Sequence, residues 1–534
     1  MICRLVFGGG ALLGGREGTR VLRTQLSFPA QASEAAQGFL GAHAPADVDP
    51  SLLERAFSGE AGQKLQLFSG GQEVRLLLGV GKPEGQDGHG VASYPAVYAA
   101  LRNAAGLATQ SAAQLQCAQL VLELPLLPAG TRGEEALQAL VQGAVLSNWA
   151  FDGYLTDPKR KFHRIQEVVL VPHPQDQQLG DPAMQPALQR AIQVAEAAAL
   201  GTLLARNLVN ERGDVAHPQY FQEQAEKLVQ EFPNALQVST IQADELREMG
   251  AGLITAVGQA AAVPPRVVFV EYRGNPEDSS FHGLLGKGVT YDTGGLNLKP
   301  TGFMEKMYMD CGGASTVLGT LQAVASLGLK LNIVGVLALA ENSIDAKAYK
   351  PGAVLKSLNG KTVEVGNTDA EGRLCLADAM TLMQKKYDLK QLIEFSTLTG
   401  ACAVALGEHA AGLFSDNADL VAALEQSGLR TGDRVWRMPL LAEYLGEIKG
   451  AESDLSNTGE SRYGGACTAA AFLHQFVDLP EGRGWAHLDI AGVAMASKSH
   501  KSWSPKNGTG FGVRLMLDYY LQTEGMGQQQ AQKI

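Results

Sequence analysis

Residues 284–300 read LLGKGVTYDTGGLNLKP, in which an apolar run at Leu284–Val289 ends in a loop of glycines and polar side chains. The apolar run predicts a buried strand. A helical pattern at Gly312–Leu327 follows, and then a second apolar run at Leu331–Leu339. Near-continuous apolar strands that alternate with helices are typical of a largely parallel sheet with both faces covered. Because ligands bind such sheets at the carboxyl ends of the strands, a functional site is expected in the loop after Val289.

The alternation of strands and helices extends in both directions from this stretch. A helix is predicted at Arg373–Lys386, followed by strands at Leu392–Phe395 and Trp485–Ile490. The N-terminal third mixes short β-type runs with alanine-rich segments such as Ala96–Ala113. We therefore predict a smaller N-terminal α/β domain and a larger C-terminal α/β domain with a mostly parallel sheet covered by helices. The predicted boundaries are residues 1–180, a linker and connecting helix at 181–210, and the C-terminal domain at 211–534.

The composition excludes several classes of protein. The 534 residues include 44 Lys+Arg and 55 Asp+Glu, which gives a formal charge of −11. A protein that binds the phosphate backbone needs a basic footprint, so nucleic acid is not expected as the primary partner. Hydrophobic residues make up 45% and charged residues 19%, values typical of a globular chain with a packed core.

The expected compartment is the cytoplasm. The longest apolar run, Leu331–Ala340, is about half the ~20 residues of a membrane-spanning helix, so no membrane association is expected. The six cysteines lie far apart without a C-x-x-C pair, which indicates free thiols in a reducing compartment. The N-terminus carries four arginines with one opposing glutamate, a pattern that faintly resembles an organelle transit segment, so import stays an open alternative.

Two segments concentrate charged residues at predicted strand ends. They contain four carboxylates, two lysines and an arginine: Lys287, Asp292, Lys299, Asp310, Asp369, Glu371 and Arg373. Four carboxylates in one cleft repel each other unless cations neutralise them, which predicts a pair of divalent metal ions. A ligand set rich in oxygen, without histidine or thiolate, suits Mn²⁺, Mg²⁺, Co²⁺ or Zn²⁺ without choosing among them.

The second segment, Asn367–Arg373 (NTDAEGR), permits two interpretations. In an extended segment Asp369 and Glu371 point to the same face and share one site. The alternative is that an Asp-x-Glu before a helix only caps the helix and complements its dipole. The presence of both charged segments in one chain favours the metal site.

These motifs resemble those of the leucyl aminopeptidase family of two-metal exopeptidases. The resemblance rests on GKGVTYDTGGLNLKP at 286–300, Asp310, NTDAEGRL at 367–374, STLTGA at 396–401 and WAHLDIAG at 485–492. It covers residues 206–521 well and the N-terminal domain only loosely. It implies a cytosolic metallo-aminopeptidase that removes leucine-like residues from the N-termini of short peptides. It also implies a homohexamer with active sites facing an interior cavity.

The resemblance further implies a role for each residue of the site. The implied metal ligands are Lys287, Asp292, Asp310, Asp369 and Glu371, with Lys287 as a neutral amine, around two metals that share a bridging hydroxide. Lys299 would stabilise the developing oxyanion, and Arg373 would anchor a bicarbonate that moves the proton to the leaving amine. Met307 would line the first specificity pocket, opposite Thr399 and Gly400.

Two other functions remain open at the level of sequence. A carboxylate-rich metal pair also supports hydrolysis of phosphoesters or other amides. The second alternative is a non-catalytic scaffold that keeps the fold and has a nucleic-acid role for its N-terminal domain. The complete set of predicted ligands, together with Lys299, Arg373 and the charge of −11, favours the peptidase. The chain contains no H-E-x-x-H and no G-x-S-x-G, so zincin and serine-hydrolase chemistry is unsupported.

Overall fold

The structure is a computed structural model that describes residues 1–5, 20–27, 58, 60–68, 73–80 and 96–531. The chain divides into two compact units, Met1–Leu200 with Ser499–Pro505, and Gly201–Lys498 with Lys506–Ile534. Of the four arginines in the basic N-terminal segment, Arg16 lies outside the described residues. No helix among the described ranges is long and apolar enough to cross a membrane.

The first unit is built on a six-stranded sheet. Its order is β1-β6-β5-β2-β4-β3, and every neighbouring pair is parallel except β3 with β4. The strands are β1 (Ile2–Leu5), β2 (Val21–Ser27), β3 (Lys64–Phe68), β4 (Glu73–Gly79), β5 (Gln119–Glu123) and β6 (Glu167–Val171). The described helices are Ala96–Gln114, Gly133–Ser147 and the short Gln177–Gly180, with 3₁₀ turns at Pro158–Arg160 and Pro182–Met184. The expected N-terminal α/β domain is confirmed.

The second unit contains an eight-stranded sheet in the order β15-β14-β17-β13-β9-β10-β8-β7. These strands are β7 (Leu236–Gln242), β8 (Arg266–Arg273), β9 (Phe281–Asp292), β10 (Asn332–Asn342), β13 (Leu389–Ser396), β14 (Ala411–Phe414), β15 (Val435–Arg437) and β17 (Gly484–Asp489). The central strands β17, β13, β9 and β10 run parallel, while β8, β7 and β14 attach in antiparallel fashion. The predicted architecture is thus confirmed, and its parallel part lies at the centre of the sheet.

Smaller elements complete the second unit. A three-stranded sheet joins β11 (Val354–Lys356), β12 (Thr362–Glu364) and β16 (Leu455–Ser456), and β18 (Met495–Ala496) pairs with β19 (Asn507–Gly508). The long helix Gln185–Asn210 runs from the first unit into the second. The remaining helices are Pro218–Glu231, Ala243–Met249, Gly252–Gly258, Gly312–Leu327, Gly372–Lys386, Gly400–Leu406, Ala418–Thr431, Ala442–Gly446, Gly465–His474 and Val513–Ala531, with a 3₁₀ turn at Met307–Met309.

One close contact sets the distance between the helix Gly312–Leu327 and strand β9. A Cβ atom on Gly286 would lie 2.5 Å from the carbonyl group of Gly313. A Cβ atom on Gly313 would lie 2.0 Å from the carbonyl oxygen of Phe395. Only glycine permits this approach. The start of the helix, and Asp310 just before it, therefore lie directly against the central strands.

We expect Gly313→Ala to destabilise the protein by about 1–3 kcal/mol, because the added methyl group overlaps backbone that cannot move aside. The matched control is Gly446→Ala, where nothing lies within 4 Å of the added atom. The thermal unfolding midpoint of the two variants checks the prediction. Equal midpoints for Gly313→Ala and Gly446→Ala would contradict it.

Candidate metal centre

The charged residues predicted from sequence meet at one edge of the central sheet. Asp292 ends β9, and Asn342 ends the adjacent parallel strand β10. Thr397 directly follows β13 on the other side of β9. Because the carboxyl ends of parallel strands share an edge, these residues are held together by the hydrogen bonds of the sheet itself.

Lys287 lies at the base of this edge and is buried. Its Nζ lies 2.8 Å from Asp310 Oδ2 and 2.9 Å from Glu371 Oε1, and it donates to the carbonyl oxygen of Thr397 at 3.0 Å. An ammonium group has three donors, so each of them has an acceptor here. Lys287 therefore joins β9, the segment before the helix Gly312–Leu327 and the segment before the helix Gly372–Lys386.

Lys299 bridges the remaining two carboxylates nearer the surface. Its Nζ lies 2.7 Å from Asp292 Oδ2 and 2.5 Å from Asp369 Oδ1. The Asp369 side chain is 32% exposed, whereas that of Asp292 is 4% exposed. Lys299 and Asp369 thus lie at the open side of the cluster.

The carboxylates are arranged as a cation site requires. Asp292, Asp369 and Glu371 each offer an oxygen, and these three atoms lie within 4.8 Å of one another. Glu371 is 1% exposed, and within the described part of the chain its second oxygen, Oε2, is buried without a hydrogen-bond partner. A buried carboxylate oxygen without a donor is costly, and a divalent cation is a suitable partner for it. The residues present therefore fit a divalent metal ion.

The segment with Asp369 and Glu371 is not extended. The prediction that strand alternation points both carboxylates to one face is therefore wrong. Thr368 and Asp369 form a turn, and Glu371 has helical angles (φ −75°, ψ −35°) as the residue before the helix Gly372–Lys386. Asn457 holds this turn, since its Oδ1 accepts the Gly366 amide at 2.8 Å and its Nδ2 donates to the Asn367 carbonyl at 2.7 Å. The turn, rather than strand alternation, brings the two carboxylates together.

Comparison with known proteins assigns the chain to a family. The model of the catalytic domain of the cytosol aminopeptidase family matches residues 203–517, and the model of that family's N-terminal domain matches residues 29–158. The chain belongs to the cytosol aminopeptidase family. It is therefore a metal-dependent aminopeptidase, a hydrolase, as the sequence motifs predicted.

Two curated relatives of this aminopeptidase are similar over most of their length. A protein from Geobacter sp. (strain M21) named "Probable cytosol aminopeptidase" is 40% identical over 471 residues, which are 87% of this chain and 89% of that protein. A protein of the same name from Aquifex aeolicus (strain VF5) is 40% identical over 393 residues, 73% of this chain and 76% of that protein.

Two solved structures share the fold of the aminopeptidase. The bottromycin maturation enzyme BotP in complex with Mn has a TM-score of 0.79 and 31% identity, with 95% of this chain and 100% of that chain covered. A mutant of tomato leucine aminopeptidase has a TM-score of 0.80 and 27% identity, with 97% of this chain and 96% of that chain covered.

Burial dominates the electrostatics of the aminopeptidase site. It raises the pKa of Glu371, and the neighbouring charge of Asp292 raises it further, to about 8. Burial also raises the pKa of Asp310 and of Asp369. Burial of Lys287 favours the neutral amine and so lowers its pKa. The nearby carboxylates, Asp310 foremost, favour the ammonium form more strongly and hold the pKa of Lys287 above the ordinary value. The lysine charges and the carboxylates thus stabilise each other.

Several residues that hold the cluster were missed by the sequence reasoning. The Thr397 hydroxyl donates to Asp310 Oδ1 at 2.7 Å, and Asn342 Nδ2 donates to Asp292 Oδ1 at 2.8 Å. The Tyr349 hydroxyl donates to the carbonyl oxygen of Thr368 at 2.7 Å. Thr397 and Asn342 do have a sequence signal, since each is a polar residue where an apolar strand ends. Tyr349 lies in a loop and has none.

Arg373 is buried beside the cluster at the start of the helix Gly372–Lys386. Its Nη1 donates to the carbonyl oxygen of Asn457 at 2.8 Å, while Nε is buried without a hydrogen-bond partner. Burial lowers the pKa of the Arg373 guanidinium to about 10, against the charges of Glu371 and Asp489. Among the described residues, Nε is thus a buried donor that no acceptor meets.

The three residues predicted for the substrate pocket lie in segments that join the cluster. Met307 is half-buried and opens the 3₁₀ turn that leads into Asp310. Thr399 caps the helix Gly400–Leu406, its hydroxyl accepting the amide of Cys402 at 3.0 Å, and Gly400 is exposed. The hydrogen bond from Thr397 to Asp310 connects these two segments.

We expect the thermal stability of the metal-free protein to fall as the pH rises from about 5 to about 8.5. A carboxyl group whose folded pKa is raised stabilises the fold while protonated, and this contribution is lost as the pH rises through the raised pKa. For Glu371 this stabilising contribution is fully present below pH 4.5 and is lost as the pH rises through its raised pKa of about 8. The raised lysine pKa values keep both ammonium groups charged across this range.

The measurement is the thermal unfolding midpoint of the metal-free protein at about pH 5 and about pH 8.5. Adding Mn²⁺ at the higher pH should restore stability, because the cation binds the folded state. The control is Glu371→Gln, which is neutral at both pH values and should show a smaller decrease. A decrease in Glu371→Gln as large as in the wild type would show that the site does not cause it.

Proposed function

We propose that the chain hydrolyses the N-terminal peptide bond of short peptides, preferring leucine-like residues, with two divalent metal ions per subunit. The observation that carries the proposal is the cluster of four carboxylates around two lysines, with Glu371 Oε2 buried and unpartnered. The positive charges of two lysines neutralise only half of the negative charge of four carboxylates. A pair of divalent cations carries enough positive charge to neutralise all of it.

We assign the metal ligands as the family resemblance implies: Lys287, Asp292, Asp310, Asp369 and Glu371. These five side chains would together hold the two ions, and Asp292, Asp369 and Glu371 already offer oxygens within 4.8 Å of one another. The bound ions, whether Zn²⁺, Mn²⁺, Co²⁺ or Mg²⁺, would activate water and polarise the peptide carbonyl. Lys287 would act as a neutral amine ligand, since a nearby dication disfavours its protonated form.

Lys299 is proposed to stabilise the negative charge that develops on the carbonyl oxygen of the scissile bond. It lies at the open side of the cluster, between Asp292 and Asp369, where a substrate would enter. An ammonium group fixed there before the reaction stabilises an oxyanion without reorganisation. With Asp292 and Asp369 engaged as metal ligands, the Lys299 ammonium would be free to face the substrate.

Arg373 is proposed to bind bicarbonate, which would move the proton to the leaving amine. The unpartnered Nε supports this, because a planar anion accepts two parallel hydrogen bonds from one edge of a guanidinium group. Asn457 fixes Nη1 on the other side and so orients the group.

Met307, Thr399 and Gly400 are proposed to line the pocket for the first side chain of the substrate. A methionine wall is apolar and adaptable, which suits leucine and methionine. The free α-amine of the substrate would bind at the metal pair, which restricts cleavage to N-termini. We further propose a homohexamer in the cytoplasm; support comes from the family resemblance and from the printed names of the relatives.

We expect hydrolysis of a leucine anilide by protein loaded with Mn²⁺, Zn²⁺ or Co²⁺, and none by metal-free protein. Lys299→Ala should lower kcat by about 10²–10³-fold, the typical cost of removing one oxyanion donor. Asp369→Ala should lower activity and leave one of the two metal sites weakened. The matched control is Lys330→Ala, which removes an exposed lysine at the start of β10, at the opposite end of the strand from the site.

Three results would overturn the proposal. They are inactivity of the wild type with every metal, full activity of both site variants, and cleavage of an aryl phosphate in place of the anilide. Asp369→Ala that loses activity but keeps its full metal content would show that the ligand assignment is wrong.

We expect Thr397→Val to weaken Mn²⁺ binding by about 10–100-fold, the usual effect of removing a hydrogen bond to a metal ligand. The valine keeps the shape of the side chain but removes the hydroxyl that orients Asp310. Thr397→Ser keeps the hydroxyl and is the control. Calorimetric titration with Mn²⁺ measures both, and equal affinities for Val and Ser variants would contradict the assignment.

A further inference from the structure

Asp489 is a fully buried carboxylate outside the set of proposed ligands. It ends β17, directly beside Ser396 at the end of β13. Its exposed fraction is 0%. Oδ1 accepts the amides of Leu398 at 3.2 Å, Thr399 at 3.4 Å and Ala491 at 3.1 Å, and Oδ2 accepts the Thr399 hydroxyl at 2.6 Å. Both oxygens are therefore committed, and most of their donors belong to one turn.

This turn, residues 397–399, connects β13 to the helix Gly400–Leu406. Its first residue, Thr397, contacts Lys287 and Asp310. At its far end the Thr399 hydroxyl donates to Asp489 and accepts the amide of Cys402. One hydroxyl group thus fixes the turn to the sheet below it and to the helix after it.

Charged neighbours keep Asp489 in place as an acceptor. Arg373 and His487 both act electrostatically on its carboxylate. His487 lies two residues before it on the same face of β17, and its Nδ1 lies 2.5 Å from Glu394 Oε2. His487 and Glu394 are both 0% exposed, so their pairing is part of the interior of the sheet. A buried carboxylate requires such compensation.

We propose that Asp489 is a positioning residue that fixes the substrate-facing end of the 397–399 turn, and thereby the preference for a leucine side chain. The inference rests on the proposed function, in which Thr399 and Gly400 line the substrate pocket. Thr397 holds the turn at the metal centre and Asp489 holds it at the pocket. The two ends are therefore separable by mutation.

The test is Asp489→Asn, assayed with leucine and alanine anilides. We expect KM for the leucine substrate to rise about 10–100-fold, as a hydrogen bond to a charged group is lost from the pocket wall. The kcat should stay within about threefold and KM for the alanine substrate should change less, because Lys299 and the metal ligands are untouched. Metal content should equal that of the wild type.

The matched control is Asp378→Asn. Asp378 is also 0% exposed and also accepts three backbone amides, from Leu253, Ile254 and Leu358, but it lies away from the turn. We expect it to lower the unfolding midpoint without changing the ratio of KM values for the two substrates. If Asp489→Asn behaves in the same way, Asp489 is only structural and the inference is wrong.

A second pair of variants covers the case in which Asp489→Asn does not fold. Asp489→Glu and Asp378→Glu each keep a buried carboxylate but lengthen its side chain by one methylene. Asp489→Glu should raise KM for leucine relative to alanine, because it displaces the turn, and Asp378→Glu should not; equal behaviour, or a rise accompanied by loss of metal, overturns the inference. A wild type inactive on both anilides would instead refute the proposed function.

Discussion

Gathering four carboxylates, three of them buried, at the end of one sheet is the constraint on which the rest of this structure depends. Such charges are tolerated inside a protein only when each has an opposite charge or a donor within reach. Lys287 supplies this for Asp310 and Glu371, and Lys299 for Asp292 and Asp369. Because the four carboxylates come from three segments, the two lysines also link the end of β9 to the starts of two helices.

The elements of the fold were readable from sequence because buried strands and amphipathic helices have distinct patterns. The helix Gly312–Leu327 was predicted with the bounds observed, and the apolar runs identified β9 and β10. The order of the strands was not readable, since periodicity contains no information about which strand pairs with which. For the same reason the antiparallel attachment of β7, β8 and β14 at the two sides was not foreseen.

The site was predicted to the extent that its chemistry lies in unusual residues. Carboxylates and lysines at strand ends stand out in a sequence, whereas Tyr349 does not, because its importance depends on which atom it meets in three dimensions. The pairing of Asp369 with Glu371 was predicted for the wrong reason. Asn457, which is distant in sequence, holds the turn that brings them together, and no local pattern contains that contact.

The two lysine bridges also bear on how this protein would acquire its metals. In small zinc domains the ligands are scattered until the ion arrives, so folding and metal uptake are one event. Here Lys287 and Lys299 contact the same carboxylates that are proposed as ligands. Under the proposed assignment, metal loading would therefore be an exchange of one cation for another on a folded scaffold, with Lys287 giving up a proton. The ion occupying the site could thus follow metal supply throughout the lifetime of one folded molecule.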